Sequence, residues 1–315
     1  MKFRRLVLLL GFVSFTSASA VWAQAVQSVG EGSVRREGFS LHYRTVGSGI
    51  PLLLLSGGPG FEVDYMSGIA QELGSSYKCI LLEQRGTGRS QPPNPTAAQM
   101  TVKLFVEDIE AVRASLNIDG LMILGHSWGG MLAMAYAAAH PDRVESLILV
   151  DSGGMDLSFG ANFSDNLTSR ASMSERQELE KAEAPIEHAS DPKALNAASV
   201  AFTRLRTPFY LFDRALADKL LALLPGDPNQ QRVFLLMQDD LVHNYHVQSG
   251  MKSLTRPTLV IQGRQDLMPE TVAIEIHEAV RNSQLVFIDQ CGHFPWIEQP
   301  KAFYALLRTF LEKQH

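Results

Sequence analysis

The sequence predicts an α/β protein: a mostly parallel central sheet with helices on both faces and a helical cap inserted late in the chain. Three observations lead there. Six short runs are almost wholly apolar, segments of helical period separate them, and the alternation lapses once, between about residues 155 and 250. Near-continuous apolar character is what a strand needs when both its faces are covered. Strand–helix alternation is the signature of a parallel sheet.

In chain order, "MKFRRLVLLLGFVSFTSASAVWAQAVQ" comes first. Lys2, Arg4 and Arg5 precede an apolar run, Leu6 to Phe15, too short to span a bilayer as a stable anchor. Small residues at 18–20 or 23–25 then offer a cleavage site, so residues 1–25 read as a signal peptide cut after Ala25. Export to a bacterial periplasm or beyond follows. "EGFSLHYRTVG" (37–47) reads as an antiparallel edge strand or hairpin.

The buried strands are "PLLLLSG" (51–57), "KCILLEQ" (78–84), "GLMILG" (120–125), "VESLILVDSG" (144–153), "PTLVIQG" (257–263) and "SQLVFIDQ" (283–290). Helices are expected at 101–116, where Leu104, Phe105, Ile109, Val112 and Leu116 share a stripe, and at 128–139, 270–280 and 300–312. The core then comprises residues 26–154 and 251–315, and the cap 155–250. The cap contains four helical patterns with breaks at Pro185, Pro192, Pro208, Pro225 and Pro228. An insertion between two strands of one sheet lies at the carboxyl edge, where open α/β sheets bind ligands.

Composition narrows the function. Without the three basic residues of the export segment, the formal net charge moves from −5 to −8, and no long basic block occurs, so nucleic acid is not an expected partner. No later apolar stretch reaches membrane-spanning length, so none holds the chain in a membrane once the signal is cleaved. Cys79 and Cys291, far apart in this fold, read as free thiols, and neither CxxC nor HExxH occurs to hold a metal.

The chemistry begins at "GHSWGG" (125–130), a G-x-S-x-G match. A Ser on a sharp strand-to-helix turn sits in strained backbone, and its neighbours must be small for strand and helix to approach. The turn exposes the Ser127 hydroxyl to a base. Asp266 and His293 follow the strands at 257–263 and 283–290, giving the chain order Ser, Asp, His at one sheet edge. A helix N-cap would also place an Asp at 266, but three such positions in order favour a triad. The Trp128 N–H is one expected oxyanion donor. The second comes from "SGGPG" (56–60), with Gly58 the first choice and Gly57 the second.

Together "GGPG", "EQRGTGRS" (83–90), "GHSWGG", the Asp266 loop and "GHFPWIEQP" (292–300) resemble the α/β-hydrolase fold family and, within it, the proline iminopeptidase group. The resemblance spans roughly residues 35–155 and 255–312. It implies Ser127 as nucleophile, His293 as general base and acid, Asp266 as its orienter, and no metal or organic cofactor. Arg85 and Arg89 read as structural, and Glu83 stands where the family usually has Asp. The group captures its substrate's amine with acidic side chains, one of them in some members beside the triad Asp; here that neighbour is Leu267. Asp239, Asp240 and Glu187 remain as cap carboxylates, and Phe209, Tyr210, Phe212 and Tyr245 as pocket aromatics.

The expected activity is an exported serine hydrolase working through an acyl-enzyme, an aminopeptidase of short peptides or amino-acid amides. A carboxylesterase acting on small molecules is the alternative within the fold. A ligand-binding receptor on a hydrolase scaffold is the alternative outside enzyme chemistry.

Overall fold

The computed structural model describes residues 29–188, 191–224 and 230–314; the expected export segment and the cap prolines 225 and 228 lie outside them. Eight strands form one sheet in the order β1-β2-β4-β3-β5-β6-β7-β8. They are β1 (Val29–Arg36), β2 (Phe39–Val46), β3 (Ile50–Leu55), β4 (Tyr77–Leu82), β5 (Leu121–His126), β6 (Val144–Val150), β7 (Thr258–Gly263) and β8 (Ser283–Ile288). The pairs β1–β2 and β2–β4 are antiparallel and all others parallel. Each of the six apolar runs is a strand. The edge hairpin also takes in β1, whose "VGEGSVRR" is half-solvated and too polar to register as buried.

Adjacent residues of a strand face opposite layers. Leu53 and Leu55 pack with α2 (Val102–Ser115), α3 (Trp128–Ala139) and α10 (Glu270–Ala279), while Leu52 and Leu54 pack with α1 (Ser67–Leu73) and α12 (Pro300–Leu311). Both faces are therefore covered, which is why the strands lack alternation. Helices α4 (Gly160–Arg170), α5 (Met173–His188), α6 (Pro192–Arg206), α7 (Ala217–Leu223) and α8 (Gln230–Asn244) form the insertion. The short α9 (Gln248–Ser253) leads back to β7, and α11 (Pro295–Glu298) precedes α12. Pro185 does not break its segment: it lies inside α5. It is solvent-exposed, so the carbonyl it leaves without an intrahelical partner can bond water.

The order β4-β3-β5 reverses the winding of the sheet at β3. Ligand crevices form outside the carboxyl ends of strands at such a switch point. Leu55 is paired with Gly125, so the loops after β3 and β5 start side by side. The second of these loops is unusually tight. A Cβ on Gly125 would lie 2.2 Å from the Gly129 carbonyl oxygen, and one on Gly129 would lie 2.1 Å from the Leu55 carbonyl oxygen. Both glycines are required by close approach of backbone to backbone.

Gly125→Ala should therefore cost more than the about 1–3 kcal/mol usual for overpacking, because backbone cannot move aside as a side chain can. Urea unfolding checks this against Gly68→Ala, where a Cβ meets nothing within 4 Å and a slight gain is expected. Equal stability of the two variants would contradict the assignment.

Candidate active site

Ser127 joins β5 to α3 with φ 56° and ψ −119°, a left-handed conformation that a non-glycine residue rarely holds without compensation. The compensation is visible. Its N–H donates to Val150 at the end of β6 (3.0 Å), and its carbonyl accepts the N–H of Gly130 (3.0 Å) and of Met131 (3.3 Å). The bend leaves the hydroxyl on a cavity wall and the N–H groups of the first turn of α3 beside it. No partner for the Trp128 N–H occurs among the described residues. The Trp128 indole donates to Gln84 Oε1 (3.0 Å), and Gln84 in turn donates to the Ser56 carbonyl (2.8 Å).

His293 and Asp266 meet as their chain positions predict. The imidazole Nδ1 lies 2.9 Å from both carboxylate oxygens of Asp266, and both side chains are almost fully enclosed. A carboxylate only accepts, so Nδ1 carries the proton and Nε2 is left as the lone-pair nitrogen of the neutral ring. His293 lines the same cavity as Ser127. Asp289, just past β8, is exposed and ion-paired with Arg264 at 2.7 Å.

Behind this pair sits a second carboxyl. Asp151 follows β6 with φ 45°, is fully buried, and accepts the Gly263 N–H at 2.7 Å through Oδ1. Asp151, Asp266 and His293 offer donor atoms within 4.8 Å of one another, a spacing that could also hold a cation. Here Nδ1 and the Asp266 oxygens are already engaged with each other, which suits proton chemistry better. Burial, and then the Asp266 charge, push the Asp151 carboxyl well above the usual carboxylate range. Two adjacent buried carboxyls do not both ionise. Asp266, hydrogen-bonded to the imidazole, keeps the charge and Asp151 keeps the proton.

A third arrangement escapes sequence reasoning altogether. The Gly57 N–H donates to the Tyr65 hydroxyl (2.7 Å), and that oxygen lies 2.7 Å from His126 Nδ1. His126 Nε2 lies 2.9 Å from the His293 carbonyl oxygen, which can only accept. Burial, reinforced by the neighbouring His293, holds the His126 imidazole well below its usual range, so the ring is neutral. Its single proton is then on Nε2, and Tyr65 donates to Nδ1. The chain of bonds runs in one direction, from the loop after β3 to the backbone of His293. It also corrects one expectation: the Gly57 N–H is committed to Tyr65 and is not available to an oxyanion. Gly58 stays in place at the cavity with φ 120°, where a Cβ would lie 2.5 Å from the Gly60 nitrogen. A Cβ on Gly57 would approach Ser127 Cβ to 3.2 Å, so this loop abuts the serine.

Residues 50–300 match the family model of the alpha/beta hydrolase fold. The chain belongs to the α/β-hydrolase family. It is similar to the proline iminopeptidase of Lactobacillus helveticus (strain DPC 4571), 27% identical across 90% of this chain and 98% of that one. Among solved structures it resembles the proline iminopeptidase of Mycobacterium smegmatis (TM-score 0.68, 23% identity, 90% of this chain and 98% of that one). It also resembles the esterase RhEst1 of Rhodococcus sp. ECU1013 (TM-score 0.66, 23% identity, 91% and 100%).

In this hydrolase the cap and the sheet edge enclose a cavity of about 710 Å³, within the usual range for small ligands. Ser127, Trp128, Gly57, Gly58 and His293 line it from the core, and Phe163, Tyr210 and Leu241 are among those lining it from the cap. The cap is fastened to the loops that carry Asp266 and His293. The Tyr210 carbonyl accepts the His293 N–H (2.8 Å), and Arg170 donates to the carbonyls of Phe209 (2.9 Å) and Asp266 (2.8 Å). Glu298 accepts the N–H groups of Phe212 (2.7 Å) and Gly292 (2.9 Å).

The other sequence candidates divide. Tyr210 lines the cavity, its ring 5.4 Å from that of His293. Phe209 does not; it is buried beneath the Arg214 guanidinium at 4.5 Å. Phe212 is half exposed, and Tyr245 is a core residue bonded to the Gly154 carbonyl (2.9 Å). Asp240 is spent on structure, accepting the Val102 N–H at the start of α2 (2.7 Å), and Asp239 is an exposed partner of His243. Neither carboxylate reaches the cavity. The Glu187 side chain lies outside the described residues; Glu183, one turn earlier on α5, does line the cavity. Arg85 and Arg89 hold structure as expected, through Asp108 (2.7 Å) and Glu83 (2.7 Å). Cys79 and Cys291 are buried free thiols.

Two outcomes follow. An Asp151 carboxyl raised in the folded protein binds its proton more tightly than in the unfolded chain. Its contribution is therefore full below the ordinary aspartate value of 3.8 and lost as pH rises through the folded value. Asp151→Asn should raise Tm at pH 7 relative to the parent, with the difference closing toward pH 4; a lower Tm at pH 7 would contradict a protonated Asp151. Tyr65→Phe strands the Gly57 N–H and His126 Nδ1 without partners, and should lower unfolding stability by about 1–3 kcal/mol in urea.

Proposed function

We propose that this hydrolase is a serine hydrolase in which His293 takes the Ser127 proton, Ser127 attacks a substrate carbonyl, and water clears the acyl-enzyme. The observation that carries the reading is Ser127 itself: a strained serine opening onto the same cavity as an imidazole already bonded to Asp266. With Nδ1 protonated toward Asp266, His293 offers Nε2 as the base in the tautomer such catalysis needs. The N–H groups of Trp128 and Gly58 are the donors for the tetrahedral oxyanion. No step calls on a metal or organic cofactor.

The proposed substrate is a short peptide or amino-acid amide with a free N-terminus. Similarity to proline iminopeptidases over nine-tenths of the chain supports this, as does the Glu183 carboxylate on the cavity wall. Leu267 is buried and supplies no second anchor, and the esterase reading rests on that lack. Export follows from the cationic and apolar start of the chain with its small-residue cleavage site.

Turnover of prolyl and alanyl arylamides, measured beside short acyl esters, tests the proposal. Cleavage of amides with a free amine, lost in Ser127→Ala and reduced about 10³- to 10⁴-fold in kcat by Asp266→Asn through the wrong His293 tautomer, is the expected result. Ester cleavage alone, indifferent to an amine, would replace the aminopeptidase with an esterase. Saturable binding without turnover of either would make the protein a receptor.

A further inference from the structure

The cavity wall is mostly carbon, and one cationic side chain other than histidine interrupts it among the described residues. Arg206 ends α6 and is half-buried. A helix C-terminus attracts cations, which accounts for Arg204 and Arg206 together. It does not account for their difference: Arg204 is exposed and absent from the cavity wall, whereas Arg206 lines it. The Arg206 guanidinium lies over the rings of Phe202 (5.2 Å) and Tyr210 (5.6 Å). Among the described residues it has no carboxylate within ion-pair distance and no hydrogen-bond acceptor. A guanidinium held by aromatic rings loses few rotamers when its N–H fork closes on a planar anion. Five donors on a cavity wall without an acceptor are the chemistry of a carboxylate site.

We propose that Arg206 reads a free carboxylate on the substrate, so that the enzyme acts on short acidic acyl compounds. This rests on the hydrolase reading above, and under that reading the substrates are di- and tripeptides with an unblocked C-terminus. Reach supports this. Tyr210 bridges the two groups, its ring 5.4 Å from the His293 ring and 5.6 Å from the guanidinium carbon. Two or three residues of extended chain, at about 3.3–3.6 Å each, span such a gap. Glu183 on the same wall gives the cavity the opposite pole, and the pair suits a zwitterion.

Binding to Ser127→Ala, which cannot turn over, separates recognition from chemistry. Titration calorimetry with Pro-Ala and with its C-terminal amide should show the acid bound roughly 10- to 100-fold more tightly. Arg206→Gln added to Ser127→Ala should erase the difference, and Arg206→Lys should restore only part of it, having charge without the fork. The acid-to-amide ratio with Arg206 intact needs no cap substitution, so a misfolded Arg206 variant would not rescue the proposal. Equal binding of acid and amide overturns it. If neither dipeptide binds, p-nitrophenyl hemisuccinate against p-nitrophenyl butyrate provides the second arm. Preference for the acidic ester that depends on Arg206 supports the carboxylate site while refuting the aminopeptidase. No preference overturns the carboxylate site as well.

Discussion

The crossing of β5 and α3 at Ser127 is the constraint on which the remaining geometry depends. Strand and helix approach until carbonyl oxygens fill the space where the Cβ atoms of residues 125 and 129 would be. That closeness forces Ser127 to φ 56° and turns its side chain away from the core. Its backbone is held from three directions, by β6, by α3 and, more loosely, by Gly153 at 3.4 Å. Loosening of any of these would let the residue relax to an ordinary conformation, and the hydroxyl would leave the cavity.

Enclosure then sets the electrostatics. In a site this buried, Asp151 keeps its proton beside Asp266, and His126 is a neutral hydrogen-bond partner of fixed direction. Tyr65 and His126 continue this logic away from Asp266. Each spends its single proton on one neighbour, so the loop after β3 and the backbone of His293 are tied to the same framework that carries the serine. The cap adds what the core lacks, a cavity with charge at chosen points. Its segment 209–213 is bonded directly to His293 and, through Arg170, to the loop of Asp266, so cap and sheet edge are tied together at that contact.

Much of this was legible in the chain. Buried strands announce themselves because two covered faces demand uninterrupted apolar residues, and β3 through β7 largely satisfy that demand; β8, expected to be buried, is the edge strand and buries only Ile288. The serine, the acid and the imidazole could be placed because short loops after parallel strands all open at one edge. Where the structure departs from expectation, the cause is a partner that no local pattern reveals, distant in sequence for Asp240 but near for Gly57 and Phe209. Asp240 looked like a carboxylate for substrate, yet the start of α2, 138 residues earlier, claims it. Gly57, the second choice for an oxyanion donor, instead donates its N–H to the Tyr65 hydroxyl. Phe209 looked like pocket lining, and the Arg214 side chain covers it.

The sequence by itself determined the sheet, the order of its strands along the chain, the tight bend at Ser127 and the residues that end up at its rim. These follow from periodicity and from glycine spacing, which are local properties. Only the tertiary structure decided which side chains of the cap face the cavity, which carboxyl keeps its proton, and in which direction the Gly57–Tyr65–His126 bonds run. Those depend on burial and on contacts between segments tens to hundreds of residues apart, and no local pattern encodes them.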